Sequence, residues 1–110
     1  MGDRGIVKLV FENSSQICIY SHWEGSNLVS LVREAIAKKW RWDDPTYLAR
    51  IIVDYVTKSG RDKEDSWGLA TSENDCDGTV AIVVYLARNT VNWDGIERSF
   101  ESFLTRIEED

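Results

Sequence analysis

One proline, one histidine and two cysteines are spread over 110 residues, and each scarcity closes a line of explanation. His22, Cys18 and Cys76 cannot assemble the usual four-ligand zinc sets, and their spacing matches no metal motif. No metal and no cofactor is therefore expected. The cysteines lie far apart, and in a cytosolic chain of this size they are expected as two unpaired thiols. Cys18 falls within a strand pattern, where a thiol serves as a small buried hydrophobe. No apolar run approaches the ~18 residues of a membrane span, and the longest, residues 80–87, has the length of a strand. The start Met1-Gly2-Asp3-Arg4-Gly5 lacks the basic opening and apolar run of a signal peptide. Ile6 stands where a myristoylation pattern needs Ser or Thr. A cytosolic location, with no membrane partner, is the expectation. A Gly-rich phosphate loop is also missing. Gly25-Ser26 ahead of a helix can receive one anion, but Glu24 beside it opposes that use.

Positive charge is in short supply. Thirteen Lys and Arg face nineteen Asp and Glu, giving a net charge of −6. Nucleic-acid binders neutralise phosphates with a basic patch, and here the only local basic group is Arg33, Lys38, Lys39 and Arg41, so direct nucleic-acid binding is not expected. Acid gathers at Asp43-Asp44, at Asp62, Glu64 and Asp65, at residues 73–77 and at residues 108–110. Such a surface solubilises the chain, and it steers basic partners. Asp75-Cys76-Asp77 lacks the remaining ligands of a calcium loop.

What is present reads as one globular domain spanning residues 1–110. Residues 6–11 and 17–20 are two β-rich runs joined by a short polar loop, a hairpin pattern. From Leu28 the apolar positions Leu28, Leu31, Val32, Ala35 and Ile36 recur at helical spacing, with Ser26 or Asn27 as cap and with Arg33, Glu34 and Lys38 facing outward. Asp44-Pro45 opens a second helix with an N-cap and a first-position proline. Its stripe is Tyr47, Leu48, Ile51, Ile52, Tyr55 and Val56, and Gly60 is the natural stop. Residues 67–71, 79–87 and 90–93 read as three more strands. The second of these is nearly continuously apolar, which predicts a central strand covered on both faces. Asp94-Gly95-Ile96-Glu97 has the form of a capping box, and Ile96, Phe100, Phe103, Leu104 and Ile107 follow at helical spacing. The order ββααβββα predicts the α+β class, a mainly antiparallel sheet of about five strands with helices packed on it.

No arrangement of these residues forms a persuasive catalytic set. His22 is the one side chain that titrates near neutrality. In a strand, Cys18 and His22 share a face but stand about 13 Å apart at ~3.3 Å per residue, too far for proton transfer. Asp44 is accounted for as a helix cap, which leaves Asp43 alone. The aromatic residues offer more. Trp40 and Trp42 flank Arg41, and Trp23 precedes the first helix. Trp, Tyr and Arg dominate binding hot spots, and planar ligands stack on the same side chains. The candidate binding set is Trp42, Arg41, Asp43, Trp23, His22, Tyr47 and Arg50. Trp42 leads it, because the short junction between the helices holds it at the surface, with Asp62, Glu64 and Asp65 as the acidic surface.

Tyr20-x-His22-Trp23-x-Gly25, followed by Arg41-Trp42-Asp43-Asp44 and Tyr47-Leu48-Ala49-Arg50-Ile51, resembles a group of small phage and prophage proteins of unassigned function. The resemblance covers most of the chain up to the C-terminal helix and supplies no catalytic residues. It implies a small acidic protein that acts by binding a host protein, including as an inhibitor of host defence. The expectation is therefore a non-catalytic, phage-encoded protein in the host cytosol that modulates a host protein with a basic surface. The alternative is a nucleotide or other small-ligand binder that stacks its ligand on Trp and Tyr beside Arg.

Overall fold

Apolar and polar residues alternate along the first strands, and that alternation decides which side of the sheet carries the helices. The computed structural model describes residues 2–105; Ile107 and the acidic run 108–110 lie outside the described residues. Strands β1 (Gly5–Val10) and β2 (Gln16–Ser21) form the hairpin, paired Val7 to Ile19 and Leu9 to Ile17. Val7, Leu9 and Ile19 point to the helix side and are fully buried. Helices α1 (Leu28–Ala37) and α2 (Pro45–Val56) follow, then β3 (Trp67–Ala70), β4 (Val80–Tyr85), β5 (Thr90–Trp93), β6 (Ile96–Ser99) and α3 (Phe100–Thr105). The class is α+β, with the sheet order β3-β2-β1-β4-β5-β6. Leu28, Val32, Ala35 and Ile36 of α1, with Leu48, Ile52 and Val56 of α2, meet Ile82, Val84 and Val91 of the sheet in one core. Full burial of each Val, Leu or Ile contributes about 1.5–3 kcal/mol. Among the described residues no helix is long and apolar enough to cross a membrane, and Cys18 and Cys76 are free thiols.

The sheet is mainly antiparallel, as expected, with four of its five pairings of that kind, and two features refine the architecture. The sheet has six strands and is mixed, because β4 lies parallel to β1. The segment 71–79 carries the chain from the margin back to the centre and passes over the face opposite the helices. Its Glu73 meets Lys8, and Cys76 sits near Cys18 and Tyr20. That cover is why Ile6 and Cys18, which point away from the helices, are still fully buried. Farther along the same face the cover stops, so β4 is central but alternates between buried and half-buried residues. The sixth strand arises at Asp94-Gly95. Both residues adopt left-handed backbone angles, φ 59° and 79°, the geometry of a two-residue hairpin turn. Asp94 therefore does not cap a helix. Ile96 pairs with Trp93 at the sheet margin and stays 54 % exposed. Glu97 accepts from the Thr90 hydroxyl at 2.7 Å and from Arg88 at 3.0 Å, which holds its carboxyl below its ordinary range. The last helix begins at Phe100, and Phe100 and Phe103 are its buried anchors.

Smaller corrections follow the same logic. Neither Ser26 nor Asn27 caps α1 with its side chain. A 3-10 turn, Gly25–Asn27, precedes the helix, and Asp3 reaches over to accept from the Ser26 N–H at 2.9 Å and from its hydroxyl. Those bonds lower the Asp3 pKa. Gly25 allows this passage, since a Cβ there would sit 2.5 Å from the Arg4 carbonyl oxygen. Helix α2 stops at Val56, before Gly60, with Thr57 as its cap. Arg33 does not face outward. It is buried between α1 and α3, its guanidinium 4.5 Å from the Phe103 ring centre and 5.1 Å from that of Trp93. Its Nε–H donates to the Phe103 carbonyl at 3.3 Å.

Candidate functional site

The junction between α1 and α2 is built from residues that resist the conformation they hold. Lys39 and Arg41 both have left-handed backbone angles, φ 59° and 57°, and for residues with a Cβ each costs roughly 1–2 kcal/mol. Several bonds offset that strain. Lys39 N–H donates to the Ile36 carbonyl at 3.0 Å, and Asp44 N–H donates to the Arg41 carbonyl at 3.1 Å. The Trp42 indole N–H donates to the same Ile36 carbonyl at 3.1 Å. Asn89, from the β4–β5 turn, donates to the Trp42 carbonyl at 2.9 Å. The Trp42 ring is half-buried and packs edge-on against Phe100, 5.1 Å between centres. Asp44 caps α2 by accepting from the Tyr47 N–H, with Pro45 next to it. The turn is thereby fixed from both sides.

Pinning Trp42 leaves its neighbours outward. Trp40 is 57 % exposed and Tyr47 is 50 % exposed. Each carries a cation against its ring: Lys38 lies 4.7 Å from the Trp40 centre and Arg41 lies 4.2 Å from the Tyr47 centre. Lys38 also approaches the Tyr55 ring at 5.0 Å, with Lys58 at 3.9 Å. The Tyr55 hydroxyl donates to Glu34 at 2.6 Å. The result is two aromatic groups with cations against their rings, Trp40 and Tyr55 about Lys38, and Tyr47 with Arg41. Asp43 and Arg50 are exposed beside them.

The rest of the expected set lies elsewhere. The start of α2 abuts the β1–β2 turn, where Pro45 and Thr46 border a shallow depression with Phe11 and Asn13. His22 and Trp23 sit past the other end of β2, roughly 20 Å away at ~3.3 Å per residue. There the His22 and Trp23 rings pack edge-on at 4.3 Å. The Tyr20 hydroxyl lies 3.3 Å from His22 Nδ1. The His22 N–H donates to the Ser66 carbonyl at 3.1 Å, which places the acidic loop of Asp62, Glu64 and Asp65 next to this end. The candidate residues thus form two groups, Arg41, Trp42, Asp43, Tyr47 and Arg50 at the junction, and His22 and Trp23 beside the acidic loop. Trp40, absent from the expected set, is the most exposed tryptophan of the junction. Its neighbour's indole hydrogen bond decides which of the two points outward, and that bond has no sequence signature. Among the described residues no three His, Cys, Asp or Glu side chains gather closely enough to hold a metal ion. No family model, no curated protein and no solved structure matches the chain.

Proposed function

We propose that this is a non-catalytic binding protein, phage-encoded, that engages a host protein and modulates or inhibits it, as in counter-defence. The observation that carries this reading is the exposure of Trp40 and Tyr47, each with a cation against its ring, on either side of a junction whose backbone is strained. Rigid aromatics lose little conformational entropy when a partner covers them, and Trp, Tyr and Arg dominate binding hot spots. The net charge of −6 adds long-range steering toward a partner with a basic surface.

The test is affinity capture from host lysate with the intact chain and with the double variant Trp40→Ala, Tyr47→Ala. A stoichiometric protein captured by the intact chain and lost, by roughly 2 kcal/mol or more, by the double variant is the expected result. No stoichiometric partner, together with a tryptophan fluorescence response to a panel of nucleotides, would instead establish the small-ligand alternative.

A further inference from the structure

The margin of the sheet at β3 is open in a way the opposite margin is not. β3 is Trp-Gly-Leu-Ala, with no charge, no proline and no bulge. At the other margin β6 carries Glu97 and Arg98. Sheet edges are ordinarily blunted by such charges, because an unpaired row of N–H and C=O groups templates another strand. The hydrogen bond from His22 N–H to the Ser66 carbonyl fixes the alternation. Within the register Tyr20 to Gly68 and Cys18 to Ala70, Ser66, Gly68 and Ala70 turn their backbone groups toward β2. Trp67 and Leu69 therefore turn theirs away, to the open side. The Leu69 side chain is 63 % exposed. It borders a cleft of about 360 Å³ between β3 and α2, lined by Val53, Thr57, Arg61, Trp67, Gly68 and Leu69. An edge strand beside a helix is where extended peptides add to sheets.

Charge selects the occupant. Asp62, Glu64 and Asp65, three acids against the one base Lys63, precede β3, and Glu73, Asp75 and Asp77 follow it. Glu73 pairs with Lys8, Asp77 with Arg4, and Arg61 is turned onto Asp54. Among the described residues, Asp62, Glu64, Asp65 and Asp75 take part in no ion pair. A second copy adding antiparallel with Leu69 opposite Leu69 would set Asp65 of each chain against Glu73 of the other, acid against acid at both ends. Like charges placed opposite one another disfavour that pairing. We propose that the β3 edge accepts, as a seventh strand, an extended segment of another protein with apolar side chains at alternate positions and Lys or Arg at its ends. The backbone groups of Trp67 and Leu69 supply the hydrogen bonds, Leu69 and the cleft take the apolar side chains, and the flanking acids take the basic ends. This surface is separate from the Trp40 face. Val53 of α2 and its cap Thr57 stand two positions from Tyr55, about 200° around the helix.

The probe is a capped peptide of alternating valine and threonine with lysines at both ends, titrated into the full chain. A twin carries glutamates at the ends. The lysine-ended peptide is expected to bind one-to-one, to shift the Trp67 and Leu69 amide signals, and to weaken as salt rises. The glutamate-ended twin is expected to bind at least about tenfold more weakly. Leu69→Pro removes an outward N–H while leaving the inward bonds of Gly68 and Ala70, so peptide binding is lost with the melting temperature nearly kept. Leu69→Lys serves if the proline variant unfolds; it keeps the backbone and lays a cation on the edge, and it is also expected to lose the lysine-ended peptide. Trp40→Ala leaves peptide binding unchanged, so this proposal and the reading of the Trp40 face fail separately. Equal binding of the two peptides, unshifted Trp67 and Leu69 amides, retained binding by a folded Leu69→Lys variant, or a dimer of the chain abolished by Leu69→Lys would each overturn it.

Discussion

Replacing Trp42 by alanine separates the two jobs that a junction tryptophan can do. The ring is half-buried against the core, so the loss falls at the low end of the ~3–5 kcal/mol typical of a buried Trp→Ala change. The indole bond to the Ile36 carbonyl, worth about 1 kcal/mol, and the edge-on contact with Phe100, worth about 0.5–1.5 kcal/mol, are parts of that loss and do not add to it. The expected destabilisation is about 3 kcal/mol. At about 4 °C per kcal/mol for a domain of this size, the melting temperature should fall by roughly 12 °C. Trp42→Phe keeps the ring contact and removes only the indole donor. The Ile36 carbonyl still accepts from Lys39, so that change should cost about 1 kcal/mol. Trp40→Ala, at an exposed position, should stay within about 0.5 kcal/mol of the parent. Thermal melts of the three variants, followed by circular dichroism or calorimetry, test the set. If Trp42→Ala melts with the parent while Trp40→Ala unfolds early, the assignment of the two indoles is wrong.

Two further predictions follow from the turn and from the thiols. Gly95→Ala should cost roughly 1–2 kcal/mol from backbone conformation alone, because φ is 79° and a Cβ there meets nothing within 4 Å; an unchanged melt would show that the β5–β6 turn does not constrain folding. Burial raises the thiol pKa of both Cys18 and Cys76, with the charge of Cys76 adding for Cys18 and that of Asp75 adding for Cys76. A thiol raised on folding stabilises the native state below its unfolded pKa, about 8.5, and loses that contribution as pH climbs through the folded value. Stability should therefore decline on the alkaline side, and a disulfide-exchange reagent should label half-exposed Cys76 well before fully buried Cys18, faster as pH rises. Equal labelling of the two in the native protein at neutral pH would contradict the cover that segment 71–79 provides.

The local elements were legible in the sequence because their causes are local. Asp44-Pro45 specifies a helix start by cap and fixed φ, and the structure has that cap. The alternation of Val7, Leu9, Ile17 and Ile19 specifies a hairpin with one buried face, and the register follows it. Asp94-Gly95-Ile96-Glu97 satisfied two local rules at once, a capping box and a hairpin turn. Strand β5 already lay in place to pair with what followed, and that tertiary pairing chose the turn. The parallel placement of β4 beside β1 was hidden for the same reason, since residues 71–79 carry no signal for the side on which they cross. Arg33 sits at a position that helical spacing leaves polar, and it is buried only because α3 packs over it. At the junction, aromatic and basic composition marked the neighbourhood, while one indole hydrogen bond decided that Trp42 turns inward and Trp40 outward. The openness of β3 belongs to the sheet order, which puts an uncharged strand at the margin. Propensity, capping and alternation act over a few residues and are written in the sequence; which strand ends the sheet, and what crosses its back, depend on contacts between distant segments that only the folded chain brings together.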